Sequence, residues 1–286
     1  MQTQEKYENL KNIIKNYGNL AVAFSGGMDS TFLLKTAHDV LGDNAVAVTA
    51  CPRFFTEKEK NDTVDFCKKE NIKHILCDTE ELKIEGVAQN HPNRCYLCKN
   101  EILTKIKQVI APFNIKYILE GSHMDDEKEY RPGFQAVQEH GIKSPLKEAG
   151  LTKDEIRELS KNLGLSTWNK QYFSCLASRF PYGETITEEK LRMVEKAENL
   201  LRDLGFAQMR VRIHGTIARI EINPEEFKKI TEPEISQKIY SELKQYGFTY
   251  VTLDLCGYRT GSMDEFLSDT VKSIKPASIK PTKSGG

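Results

Sequence analysis

The sequence predicts an α/β protein, a parallel sheet with flanking helices, followed by a smaller α+β domain. Three observations carry that expectation. Short apolar runs alternate with segments of helical period, a glycine-rich turn separates the first run from the first helix, and the pattern changes to a hairpin beyond about residue 185.

Leu20 to Phe24 is the first apolar run, and it ends in Ser25-Gly26-Gly27-Met28-Asp29-Ser30. Phe32, Leu33, Leu34, Ala37, Val40 and Leu41 follow at helical spacing, so the segment reads as strand, turn, helix. Ala45 to Ala50 is a second strand. Thr56 with Glu59 forms a capping box that opens a helix to about Glu70, and His74 to Cys77 is a third strand. A helix from about Asn93 to Ile110 leads to a fourth strand, Tyr117 to Glu120, and Thr152 with Glu155 caps a helix ending near Gly164. Strands joined through helices imply parallel βαβ units, whose ligands bind beyond the carboxyl ends of the strands. The glycine turn occupies such an end.

Residues 167–187 show neither period yet carry Trp168, Cys175, Arg179 and Tyr182, the composition of a functional loop. Beyond it come a helix from about Glu188 to Leu204, a hairpin of Met209 to His214 with Ile217 to Ile222, and a last strand within Phe248 to Leu255. The expected organisation is residues 1–185, 186–270, and a flexible Lys/Pro/Ser/Gly-rich tail at 271–286.

The chain has 286 residues with 41 Lys+Arg and 41 Asp+Glu, so 41 − 41 = 0, and no cationic excess exists to hold a nucleic-acid backbone. Hydrophobic content of 39% with 29% charged residues excludes disorder as the general state. No apolar run is long enough to span a bilayer, and the first residues lack a signal-peptide core, so the expected location is cytoplasmic with no membrane partner. The seven cysteines are then expected as thiols available to metals or chemistry.

Successive backbone N–H groups at Ser25–Ser30, with a helix N-terminus behind them, suit a phosphate, although the spacing and lysine of a Walker A loop are missing. Glu120-Gly121-Ser122-His123-Met124-Asp125-Asp126 follows the fourth strand on the same sheet edge; its adjacent carboxylates suit either a hard cation bridging phosphates or a plain solvated loop. Cys95 and Cys98 stand three apart at a helix start and share one face, a spacing open to metal, redox or accidental readings. Arg179 near Cys175 could favour a thiolate. Three converging thiolates would suit an iron–sulfur cluster with one open iron, or a zinc site completed by His91 or water. Cys51, Cys67, Cys77 and Cys256 read as structural thiols. Arg210 and Arg212 alternate with Val211 and Ile213, so both guanidiniums share one face; they suit a phosphate or an exposed basic strand face. Glu198 and Glu221 read on composition as ordinary surface carboxylates.

SGGMDS, in its strand–helix context, resembles the PP-loop of the ATP pyrophosphatase superfamily. Together with GSHMDDEKEYRPG, WNK, CLASRFPYG, MRVRIH, IARIEI and YVTLDLCGYRTG, it resembles the LarE family of ATP-dependent sulfur transferases over nearly the whole chain. The resemblance implies adenylation of a carboxylate of pyridinium-3,5-biscarboxylic acid mononucleotide and its conversion to a thiocarboxylate, for the nickel-pincer cofactor of lactate racemase. It places ATP and Mg2+ at Ser25, Gly26, Gly27, Asp29, Ser30, Gly121, Asp125 and Asp126, and the substrate phosphate at Arg210 and Arg212. Cys175 takes the sulfur-donor position, and Glu198 with Glu221 are candidates for the divalent metal that some members use. Members that sacrifice this cysteine lack the CxxC pair, so Cys95 and Cys98 point to a 4Fe–4S cluster shared with Cys175. A homo-oligomer, a hexamer, is also implied.

The alternatives are a sacrificial Cys175, a PP-loop tRNA thiolase, a GMP-synthetase-like amidation, and a non-catalytic nucleotide sensor with a zinc staple. Zero net charge and the lack of an RNA-binding appendage oppose the thiolase, and the lack of a glutaminase-sized segment opposes the amidation.

Overall fold

The structure, a computed structural model, describes residues 2–128, 133–170, 175–263 and 265. The expectations placed on Tyr130 to Pro132, on Phe173 and Ser174, and on the tail at 271–286 lie outside the described residues.

The chain forms two compact units, Met1–Glu81 with Cys95–Phe173, and Leu82–Arg94 with Ser174–Gly286. The division falls before the boundary near 185 that pattern alone suggests. Hydrogen bonds explain why 82–94 groups with the later segment. The Asn90 side-chain amide donates to the carbonyls of Phe180 at 3.0 Å and Pro181 at 2.6 Å, and the N–H groups of Gly183 and Ile186 donate to the carbonyls of Asn90 and Ala88. Such pairing between distant segments leaves no trace in local periodicity.

The first unit is built on a parallel sheet of β1 (Leu20–Ala23), β2 (Ala45–Cys51), β3 (His74–Asp78) and β4 (Tyr117–Leu119), in the order β3-β2-β1-β4. Its helices are α1 (Thr3–Tyr17), α2 (Met28–Leu41), α3 (Glu57–Lys69), α4 (Arg94–Ile110), α5 (Gly133–Glu139), α6 (Pro145–Glu148) and α7 (Lys153–Asn162). Side chains alternate across the sheet, so each strand feeds two cores. Leu20, Val22, Ala45 and Ala47 pack with Leu10, Ile14, Phe32, Leu33, Ile156 and Leu159. Ala21, Val46 and Val48 pack on the other face with Leu103, Ile106, Ile110 and Ile118. Burial on both faces is what covering helices on a parallel sheet require. The first helix, α1, has no counterpart among the predicted elements; it is held by Tyr7, Leu10 and Ile14, with Tyr7 and Phe32 ring centroids 5.7 Å apart.

The second unit carries α8 (Glu188–Asp203), the antiparallel hairpin β5 (Met209–His214) and β6 (Ile217–Ile222), α9 (Phe227–Ile230), α10 (Pro233–Gln245) and β7 (Tyr250–Leu253). Here β7 pairs parallel to β6, giving the order β5-β6-β7. Leu191, Val194, Ala197 and Leu201 bury the apolar stripe of α8, and Val211 and Ile213 are fully buried on β5.

Both predicted capping boxes form. Thr56 Oγ1 accepts from the Glu59 N–H at 3.1 Å while Glu59 accepts from the Thr56 N–H at 2.9 Å, and Thr152 and Glu155 do the same on α7. Replacing Thr56→Ala removes an orphan-donor partner and is expected to cost about 1 kcal/mol, read as a lower urea midpoint with unchanged slope.

Candidate active site

The glycine turn follows β1 and ends on α2, whose N-cap is Gly27. No side chain caps the helix, so its first N–H groups point outward with the positive end of the helix dipole behind them. Ser30 closes the turn from within. Its hydroxyl donates to the Gly27 carbonyl at 3.2 Å, accepts from the Ser25 N–H at 3.3 Å and lies 3.1 Å from Ser25 Oγ. Gly26 adopts φ +70°, and a Cβ there would meet Thr63 Cγ2 of α3 at 2.9 Å, so both conformation and space require glycine.

Two lysines that sequence reasoning missed complete this region. Lys170 Nζ donates to the Gly26 carbonyl at 3.0 Å and pairs with Asp62 of α3 at 2.9 Å, fastening the turn to its neighbour helix. The WNK string carried Lys170 without a role. Lys153, the first residue of α7, places Nζ 3.7 Å from Asp29. Nothing local to position 153 signals that long-range contact. A cavity of about 530 Å3 beside the turn is lined by Phe24, Gly26, Thr31, Phe66, Thr167 and Lys170, among others.

The second loop presses against the turn. A Cβ on Gly121 would stand 3.0 Å from the Ser30 amide nitrogen and 3.2 Å from the Asp29 carbonyl carbon. Asp125 accepts from the Lys153 N–H at 2.8 Å, and buried Asp126 accepts from the His123 N–H at 3.0 Å. Both carboxylates thus order the loop and the start of α7.

The cysteines sort by environment. Cys67 and Cys77 are buried in the two cores, and burial pushes their thiols up to about 12 and about 11, the chemistry of inert structural groups. Cys51 is raised as well, by burial first. Cys95 is exposed and Cys98 half-buried on the opening turns of α4, while Cys175 is exposed in the second unit; none forms a disulfide. Among the described residues, no group of three or more His, Cys, Asp and Glu side chains that could hold a metal ion is formed.

In the second unit Arg210 and Arg212 are both buried, unlike an exposed basic strand face. Arg212 pairs with Glu221 at 2.9 Å and donates to the Ser178 carbonyl at 3.0 Å and Ser262 Oγ at 3.1 Å. Arg210 donates to the Met209 carbonyl, and its guanidinium lies 5.2 Å from the Tyr258 ring centroid. Burial, then the charge of Arg179, lowers the Arg210 pKa. Glu198 receives a two-pronged fork from Arg179, at 2.8 and 2.9 Å, and the Val211 N–H at 3.0 Å. Glu221 accepts from Arg212, Arg219 and Ser262. With their oxygens filled by cationic and hydroxyl donors, Glu198 and Glu221 do not fit a divalent cation in this arrangement. Arg179, Arg210, Arg212 and Arg219 thus share one charged network with Glu198, Glu221 and Asp254, which Arg259 extends by pairing with Asp254 at 3.6 Å.

A parallel α/β sheet whose first strand ends in SGGMDS, with a second loop packed on it, defines a nucleotide-binding protein of the PP-loop ATP pyrophosphatase class. No family model matches the chain. It is 40% identical to an uncharacterised protein of Synechocystis over 93% of this chain and 99% of that one. A pyridinium-3,5-bisthiocarboxylic acid mononucleotide synthase of Lactiplantibacillus plantarum is 38% identical over 89% of this chain and 92% of its own. More distantly, a glutamine-hydrolysing GMP synthase component from Sulfurisphaera tokodaii is 26% identical over 83% of this chain and 66% of its own. The chain belongs to the LarE family of PP-loop sulfurtransferases.

Gly121→Ala forces the two loops apart and is expected to weaken ATP binding about tenfold, or about 1.4 kcal/mol, measured by calorimetry. Lys170→Ala removes a charged hydrogen bond at a partly exposed site, so a smaller loss of about fivefold is expected in the same titration. Burial raises the Glu198 carboxyl, but the charge and fork of Arg179, followed by Arg210 and the Val211 N–H, hold it below its ordinary 4.5. A depressed folded value stabilises above about pH 4.5, and the contribution is lost as pH falls through that value. The melting temperature is therefore expected to fall on acidification below that pH, with a shallower slope in Glu198→Gln.

Proposed function

We propose that the protein uses ATP to activate a carboxylate of a pyridinium dicarboxylate mononucleotide and replaces an oxygen of that carboxylate with sulfur. The observation that carries this reading is the intact glycine turn in a chain 38% identical, over 89% of its length, to the Lactiplantibacillus plantarum synthase. A carboxylate oxygen attacks the α-phosphorus of ATP, the bond to the β-phosphate breaks and pyrophosphate leaves. Sulfur then attacks the carbonyl carbon, and AMP departs with the bond electrons. One hard displacement thus becomes two easier ones. Ser25, Gly26, Gly27, Asp29 and Ser30 hold the pyrophosphate end through backbone N–H groups and the α2 terminus, with Gly121, Asp125 and Asp126 shaping the neighbouring loop. Mg2+ would accompany the phosphates and offset their charge.

Arg210 and Arg212 hold the mononucleotide phosphate in this reading, and what supports it is that both guanidiniums stand on one strand and are withdrawn from bulk water. Cys175, exposed and outside any disulfide, is the sulfur-side residue in this reading.

For the sulfur source we favour three thiolates, Cys95, Cys98 and Cys175. The donor set fits a 4Fe–4S cluster in kind, because all three are outside disulfides and the CxxC pair shares one face at the positive end of α4. Bound there, such a cluster would supply a labile sulfide as nucleophile. The CxxC pair is what favours this over a sacrificial Cys175. A homo-oligomer, a hexamer, belongs to the same proposal and is read by light scattering. No described helix is long and apolar enough to cross a membrane.

ATP–pyrophosphate exchange should require the pyridinium substrate; ATP binding without exchange would leave a nucleotide sensor instead. Protein reconstituted with iron and sulfide under anaerobic conditions should be brown and turn over repeatedly, and Cys95→Ala with Cys98→Ala should lose the colour. A colourless protein whose Cys175 becomes dehydroalanine after one turnover would establish the sacrificial route.

A further inference from the structure

Cys175 begins a tight turn, Leu176–Arg179, and accepts the Ser178 N–H at 2.9 Å through its carbonyl. Arg179, only 1% exposed, ties that turn inward. One guanidinium nitrogen donates to the Cys175 carbonyl at 3.3 Å and to Ser178 Oγ at 2.8 Å, while the rest of the fork grips both oxygens of Glu198 on α8. Glu198 in turn accepts the N–H of Val211, the residue between Arg210 and Arg212 on β5. The path closes through a second route, because Arg212 donates to the Ser178 carbonyl at 3.0 Å. Two independent connections therefore join the cysteine turn to one strand, and both oxygens of Glu198 are used in making one of them.

We propose that Arg179 and Glu198 are a positioning pair that holds the Cys175 turn at a set distance from the arginines of β5, and that Glu198 serves this contact rather than a divalent cation. Buried ion pairs seldom stabilise more than well-packed apolar residues of similar volume, so a forked pair here is better explained by the geometry it enforces. The fork fixes direction as well as distance, which a lysine cannot reproduce. A cation placed on Glu198 would have to displace the Arg179 guanidinium from both oxygens. What the anchoring achieves rests on the sulfur-transfer reading; the anchoring itself does not.

Glu198→Gln keeps the volume but sets an amide NH2 against a guanidinium N–H, and Arg179→Lys keeps the charge but loses the fork. Hydrogen–deuterium exchange of residues 175–180 is expected to rise about tenfold or more in both variants, with the β6 segment 217–222 unchanged. Single-turnover thiocarboxylate formation from the pyridinium mononucleotide should fall about 10- to 100-fold, while the KM for ATP stays within about twofold. Ser178→Ala, which uncovers no buried charge, should show the same changes at smaller size and covers the case in which a charged-pair variant fails to fold. Unchanged exchange at 175–180 in folded variants would overturn the proposal, as would loss of Mn2+ binding in Glu198→Gln with exchange intact. A wild-type chain that forms no thiocarboxylate would sink the sulfur-transfer reading while leaving the exchange measurement to decide the anchoring.

Discussion

At Gly121 the absence of a side chain lets one loop lie directly on the backbone of another. The amide of Ser30 and the carbonyl carbon of Asp29 stand where a Cβ would need room, at 3.0 and 3.2 Å. That approach brings the carboxyl ends of β1 and β4 into one surface, and strands paired side by side in a parallel sheet are what make it reachable. Around it the rest is arranged to hold the glycine turn still: Ser30 from inside, Lys170 and Thr63 from the side of α3, and Lys153 from α7. A site meant to receive phosphate charge with little reorganisation needs such preset donors.

The second unit solves a different problem. Guanidiniums gathered in a low-dielectric place repel one another when close, and burial costs each of them solvation. Carboxylates at Glu198, Glu221 and Asp254 offset that charge, and the ring of Tyr258 faces Arg210 with its electron-rich side. Position in the fold also separates two kinds of cysteine, since Cys67 and Cys77 are sealed in apolar cores while Cys95 and Cys175 are exposed.

Local pattern made most of the framework readable. The four parallel strands, both capping boxes, the hairpin and the last strand follow from periodicity and from short-range hydrogen bonding, which act within a few residues. The SGGMDS string was legible for the same reason, because turn, strand and helix are contiguous. Helix α1 was missed since its apolar residues Tyr7, Leu10 and Ile14 are few and its burial depends on α2 and α6.

What the amino-acid order determined by itself was the set of candidate groups and the local elements that carry them: the glycine turn, the CxxC pair at a helix start, Cys175 in an aperiodic loop, and two arginines on one strand. Only the tertiary structure decided what those groups do to one another. Glu198 and Glu221 look like surface carboxylates in the sequence, yet in the fold they are buried partners of arginines. Asp125 and Asp126 order a loop, Lys170 holds a glycine carbonyl 144 positions away, and residues 82–94 belong with the later half of the chain. Each of these rests on a hydrogen bond or ion pair between distant segments, and such contacts depend on how the chain returns to itself rather than on any nearby residue.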